Sequence, residues 1–406
     1  MKYSNINQVF YNGCQLPKEI EASLKDMLGV KSLSDLGKSQ KQSLRLDILN
    51  LFKGKNTTYY NRHLAYAIYY LPANFSKIWK PLYDLLIKNQ IKQDVSILEL
   101  GVGPGSTTFG IIEFYKVLAL ENPDAIFNLR FSLVEKEIEF KKIFEKLFEE
   151  YKTTIPTNLQ VDIIFKLLKV DENFQVDDRL RFDIIVESNM LNPNEQINDD
   201  IFIKAIYSLN KNLNKHAAII FIEPASELMS GYLYELKQKI IDDGLYGIFS
   251  PCSCDNRCKQ LSMAQIDISC SSIIKELRDN AIITNEKNKH YFEYLVLRND
   301  KLKNHVAIDN KVKLYDLNNY IGKEINLSGY IIYSKRNSDK VSIKICDGSL
   351  NCRKDVWINI SNEVLKFNNL TDIDVERGDL IKLKRVFIED SSNLECGMHT
   401  DIEIRR

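Results

Sequence analysis

The chain has 406 residues, 44% of them hydrophobic and 27% charged, with 55 Lys and Arg against 55 Asp and Glu. That balance is a globular one, the length exceeds what one ordinary core holds, and the zero net charge excludes a global basic field as the basis of nucleic-acid binding. No apolar run reaches the roughly eighteen residues of a membrane span, so no membrane partner is expected. The opening MKYSNINQVFYNGC lacks the basic and apolar regions of a secretory signal, which predicts an intracellular, reducing setting, cytoplasmic in a bacterium. Eight cysteines in such a setting point to metal ligation, catalysis or burial rather than to a disulfide framework.

Residues 1–90 read as a helical segment. PKEIEASLKDML, KSQKQSLRLDILNLF and HLAYAIYYLPANFSKIWKPLYDLLI carry apolar residues at three and four spacing, with Pro72 and Pro81 breaking or starting helices in the last stretch. Residues 91–300 change to short apolar strands, SILEL, FSLVE, VDIIF, FDIIVES and AAIIFIEP, alternating with amphipathic runs such as EIEFKKIFEKLFEEY. That alternation predicts an α/β, doubly wound, mostly parallel sheet, closed by an antiparallel pair around AIITN and YFEYLVLRN. Residues 310–406 hold INLSGYIIYS, VSIKICDG, DVWINIS, DLIKLKRVFI and DIEIRR, short strands with turns at Asn337, Gly348 and Gly378. Their texture is that of a small OB-like β-barrel.

The stretch ILELGVGPGS ends a strand in an acid, Glu99, and runs into Gly101, Gly103 and Gly105 before a helix. Glycine there lets the backbone turn tightly and approach a ligand, at a helix N-terminus whose N–H groups await an acceptor. The E-x-G-x-G-x-G form resembles the cofactor loop of class I S-adenosylmethionine methyltransferases, a Rossmann-like fold. The resemblance implies that this loop holds the methionine and ribose part of S-adenosyl-L-methionine and that Glu135, ending FSLVE, holds the ribose hydroxyls. Glu187, in VESNM, falls where a further cofactor- or substrate-lining residue of that family sits. Taken singly, Glu99 and Glu135 also each fit a solvated strand end. No motif for base-amino or cytosine methylation is written in the strands, and no catalytic group is named by the sequence, since methyl transfer depends chiefly on alignment.

SPCSCDNRCKQL, within an insertion at 250–272, places Cys252, Cys254 and Cys258 in a polar stretch, with Cys270 following. The spacing fits a structural zinc loop, an iron–sulfur site or unrelated thiols. YAIYYLPANF, LELGVGPGS, IEPAS, GIFSPCSCDNRC, HYFEYLVLRN and KVSIKICDGSL, in that order over nearly the whole chain, resemble the mitochondrial small-subunit ribosome-assembly methyltransferase-like family and its bacterial relatives. That resemblance implies a 4Fe-4S cluster on Cys252, Cys258, Cys270 and Cys346, with zinc as the alternative from spacing alone, and mitochondrial placement in a eukaryote. Ser253 and Cys254 stand where the family has Pro and His, so Cys254 competes as a ligand. Lys259 and Gln260 replace its Pro-Leu, and Cys14, Cys352 and Cys396 are read as bystanders.

The family also implies ribosomal RNA or the small ribosomal subunit precursor as partner. Between 321 and 354, Lys323, Lys335, Arg336, Lys340, Lys344, Arg353 and Lys354 outweigh Glu324, Asp339 and Asp347. With Tyr330, Tyr333 and Trp357 interleaved they suit single-stranded RNA, or else a solvated turn over core aromatics. The function so expected is a methyltransferase-like, cluster-bearing protein acting on ribosomal RNA. The alternatives are a non-catalytic assembly factor with a vestigial methyltransferase fold, or a methyltransferase for a small molecule or protein. The sequence does not specify an oligomeric state.

Overall fold

The computed structural model describes residues 15–52, 62–171, 173–190, 199–251, 263–268, 271–283, 289–302, 312–349, 355–371, 375 and 379–405. They form two compact units, one from the described residues up to Pro251 together with 263–302, the other from Val312 onward.

The first unit opens with helices α1 (Lys18–Met27), α2 (Lys38–Phe52), α3 (Arg62–Asn74) and α4 (Trp79–Leu86). Their periodic apolar residues, among them Ile20, Leu24, Ile48, Ile68 and Leu71, are buried in one core with sheet residues such as Ile97, Val186, Ile220 and Val296. Pro72 lies inside α3, whereas Pro81 falls in the first turn of α4, where a missing N–H removes no helical bond. The continuous helical pattern over 63–87 therefore breaks into two helices between Asn74 and Trp79.

The sheet comprises β1 (Asp94–Leu100), β2 (Phe127–Glu135), β3 (Leu159–Leu167), β4 (Phe182–Ser188), β5 (Leu213–Pro224), β6 (Gly247–Ser250), β7 (Met263–Asp267) and β8 (Lys289–Arg298). Helices α5 (Ser106–Glu121), α6 (Ile138–Tyr151), α7 (Asp199–Ser208), α8 (Glu227–Asp243) and α9 (Ser272–Asp279) intervene. Strand order is β3-β2-β1-β4-β5-β8-β6, with β7 also on β8. The pairs among β1 to β5 are parallel, and β8 is antiparallel to β5, β6 and β7. This is the doubly wound α/β sheet expected from the alternation, and its order reverses between β1 and β4, the place where such sheets open a crevice at the strands' carboxyl ends.

Among the described residues one expected strand is absent. Residues 281–283 of AIITN close off α9, the amides of Ile282 and Ile283 both bonding Leu277 O, which buries the two isoleucines in the helical core. The antiparallel closure of β8 comes instead from β5, β6 and β7. A glycine fixes how closely the α3–α4 turn seats on α5: a Cβ at Gly110 would fall 2.3 Å from Phe75 O, and Trp79 Nε1 donates to Gly110 O at 2.9 Å.

The second unit contains β9 (Glu324–Arg336), β10 (Lys340–Cys346), β11 (Trp357–Ser361), α10 (Asn362–Phe367), β12 (Leu380–Phe387), β13 (Asn393–Cys396) and β14 (Asp401–Arg405). Its sheet runs β13-β11-β10-β9-β12-β14. The long β9 pairs with β12 along its first half and with β10 along its second, with register shifts on both sides, so the sheet curls around its own core. Among the described residues the pairing is an open path with two ends rather than a closed barrel. No helix among the described residues is long and apolar enough to cross a membrane.

Candidate functional site

At the switch point the sequence-selected loop and Glu187 do meet. Gly101, Gly103 and Gly105 all have left-handed backbone, φ 68°, 54° and 96°, which glycine adopts without the penalty of a Cβ. The amides of Gly101 and Val102 both donate to Val134 O, at 2.9 and 3.2 Å, tying the loop to β2. Gly103 N donates to Glu135 Oε2 at 2.9 Å. Glu135 Oε1 accepts from Lys136 N and Glu137 N at 2.8 and 3.0 Å. Three amides thus use three of the roughly four acceptor positions of this carboxylate, leaving one for a ligand hydroxyl.

Glu99 is 1% exposed and accepts from Thr108 Oγ1 at 2.5 Å, bracing the loop against the first turn of α5. Burial pushes its carboxyl up to about 8, an effect eased by Thr108 and reinforced by the charge of Glu135. The first turn of α5, from Ser106 to Thr108, presents N–H groups with no carbonyl a turn earlier.

Glu187, next to last in β4, is fully buried. Met190 N donates to Glu187 Oε1 at 2.8 Å and to Glu223 Oε1 at 3.1 Å, so two carboxylates from adjacent strands converge on one amide. Burial pushes Glu187 up to about 7, against the lowering effect of its bonds with Glu223 and Met190 N. The Met190 side chain lies over Gly101, where an added Cβ would sit 2.4 Å from its Cγ.

Helix α3 forms the wall facing the loop. Tyr66 Cε1 lies 3.9 Å from where a Gly103 Cβ would be, and its ring packs tilted against Tyr70 and edge-on to Phe140, centroids 4.7 and 5.3 Å apart. Burial, with the charges of Tyr70, Glu135 and Glu223, keeps the Tyr66 phenol protonated. Arg62 and His63 hold Glu137, Arg62 at 2.7 Å. Burial alone would raise the Glu137 carboxyl, but the His63 bond and the Arg62 charge outweigh it and lower it. Lys77, 4% exposed, stands over the Phe292 ring at 5.9 Å. Burial lowers its ammonium to about 8, and Glu223 partly restores it.

Sequence reasoning passed over Tyr66, Lys77, Met190 and Glu223 as chemistry. Glu223 carried the same signal as Glu135, an apolar strand ending in an acid, but stood only as part of IEPAS. The expected ligands Cys252, Cys258 and Cys270 lie outside the described residues, as do Cys14 and Cys352. Cys346 is buried at the end of β10. Burial pushes the Cys396 thiol up to about 12, which suits an inert core residue. Among the described residues no group of three metal-ligating side chains comes together. In the second unit, Lys344 stands 4.4 Å over Trp357, whose ring packs edge-on to Tyr333 at 5.6 Å.

No family model and no curated protein matches the chain. Solved structures that resemble it include a methyltransferase from Pyrococcus furiosus, 13% identical over 64% of this chain and 98% of that one, with a TM-score of 0.32. A SAM-dependent methyltransferase from Methanosarcina mazei is 12% identical over 52% and 96% of the two chains, TM-score 0.32. Coclaurine N-methyltransferase bound to N-methylheliamine and SAH is 10% identical over 68% and 98%, TM-score 0.30.

Proposed function

We propose that the first unit binds S-adenosyl-L-methionine at the β1 loop and that the chain is a methyltransferase-like protein acting on ribosomal RNA or the assembling small ribosomal subunit. The observation that carries the cofactor reading is the joining of Gly103 N to Glu135 Oε2 beside the sheet's switch point. It leaves a pre-formed glycine turn, an open helix N-terminus and a carboxylate with acceptor capacity in one crevice. The residues fit the group. Glu135 would take a ribose hydroxyl, the loop from Gly101 to Gly105 the methionine side, and Tyr66 would wall the site against water, while Glu99 braces the loop from behind. When bound, the cofactor supplies an electrophilic methyl group. The chain's own part is to hold the acceptor in line, which needs alignment more than a base.

The RNA partner, the OB-like character of the curled sheet and a 4Fe-4S cluster on Cys252, Cys258, Cys270 and Cys346, or zinc in its place, rest on the family resemblance. The group of exposed Tyr333 with the half-buried Trp357 and Lys344 supports the RNA reading. Calorimetric titration with S-adenosylmethionine tests the cofactor reading: wild type binds, and Glu135→Ala weakens binding at least about tenfold, the worth of one charge-assisted hydrogen bond. No binding by wild type would overturn it. That outcome would select the second reading, a non-catalytic assembly factor, which one observation favours: the Met190 side chain lies over Gly101. Co-sedimentation with ribosomal particles tests the partner. Iron, sulfide and zinc analysis of anaerobically purified protein tests the cluster, about four irons being expected for four thiolates.

A further inference from the structure

Glu187 and Glu223 pair beside the glycine loop, at the carboxyl ends of β4 and β5. Both are buried, at 0% and 1% exposure, and both accept from the same amide, Met190 N. Glu187 Oε2 has no hydrogen-bond donor among the described residues. Two carboxylates this close in a dry site do not both ionise without a positive charge between them, so the pair holds a proton near neutrality. The groups facing it are Glu293, opposite Glu223 on β8, Tyr66 on α3 with Glu135 beyond it, and Lys77 between α3 and α4. Lys77 is the one cation in that set. It is buried over the Phe292 ring, and the Glu223 charge acts on its ammonium. On its other side the pair borders Gly101 through Met190, the side of the loop assigned above to the methionine end of the cofactor.

We propose that the Glu187–Glu223 pair exchanges its shared proton for positive charge on the bound cofactor, so that binding releases a proton from the protein to the buffer. This rests on the cofactor reading. No covalent bond other than the carboxylic O–H is broken, and the charge of the site is unchanged by the exchange. Below about pH 7, where Glu187 retains its proton, affinity then rises with pH, approaching tenfold per pH unit for one released proton, and levels off above that range.

The test is calorimetric titration in buffers of differing ionisation enthalpy, with S-adenosylmethionine, which carries a sulfonium and an ammonium, with S-adenosylhomocysteine, which carries only the ammonium, and with 5′-methylthioadenosine, which carries neither. Proton release with the first two assigns the exchange to the ammonium, and release with the first alone assigns it to the sulfonium. Either supports the proposal. Glu187→Gln or Glu223→Gln should abolish the release, and the wild-type buffer series stands even where one variant fails to fold. Cofactor binding with no buffer-dependent heat would overturn the exchange while leaving the cofactor reading intact. Failure of all three compounds to bind would overturn both.

Discussion

At the scale of single residues, the three loop glycines are not equivalent. A Cβ at Gly105 would meet Phe144 Cδ2 at 2.5 Å and Phe109 Cε2 at 2.9 Å, and neither buried ring has room to withdraw. Gly105→Ala therefore combines left-handed strain with overpacking, about 2 to 5 kcal/mol in all, and should show as a lowered urea midpoint. Gly103→Ala meets nothing nearer than Tyr66 at 3.9 Å, so it should lose only about 1 to 2 kcal/mol from the backbone, and any loss of cofactor binding beyond that reports its new methyl group in the site. Glu99 adds a pH dependence. Its folded carboxyl, pushed up to about 8, binds a proton that the unfolded chain has released, so stability falls as pH rises from the ordinary carboxylate range toward 8. Glu99→Gln keeps an oxygen for Thr108 and should flatten that slope in melts across the range. An unchanged slope would place the titration elsewhere.

At the scale of elements, the helices before the sheet hold α9 by its polar groups. Glu21, on α1, accepts from Ser272 Oγ and Ile273 N at the start of α9. Glu276 accepts from Lys25 Nζ, from Ser32 Oγ at 3.0 Å and from Leu33 N at 2.8 Å. Glu276→Ala orphans these donors, so a loss of about 1 to 3 kcal/mol is expected by urea titration. The partners outweigh burial and lower the Glu276 carboxyl, so its contribution is present at neutral pH and fades as acid protonates it through the folded value. A variant as stable as wild type at neutral pH would refute this linkage. These ties explain what was legible in the sequence and what was not. Strand and helix alternation, the glycine loop and Glu135 are local patterns, written in consecutive residues. The clamp joins residues about 250 positions apart, and AIITN reads as a strand until tertiary packing turns Ile282 and Ile283 into the core as a helix end. Lys77 and Glu223 become visible as site residues only when α3, α4, β4 and β5 are brought together.

At the scale of the whole molecule, the described residues form two separate hydrophobic cores. One joins the N-terminal helices to the eight-stranded sheet, so those helices share the stability of the unit whose crevice they wall. The other is built from inward residues of the curled sheet, among them Ile331, Val341, Ile343, Ile358, Ile360 and Leu383. A core that belongs to one unit should be perturbed without melting the other. Ile343 is fully buried, paired with Ser334 on β9 and Ile358 on β11, and Ile343→Ala should remove about 2 to 5 kcal/mol from the second unit. For a unit of this size each kcal/mol moves the midpoint by about 4 to 8 °C. Differential scanning calorimetry should then resolve a transition displaced downward by at least about 8 °C, with the other in place and cofactor titration of the first unit unaltered. A single transition shifted as a whole would instead show that the two cores melt as one. Cofactor binding would then draw on the stability of the curled sheet.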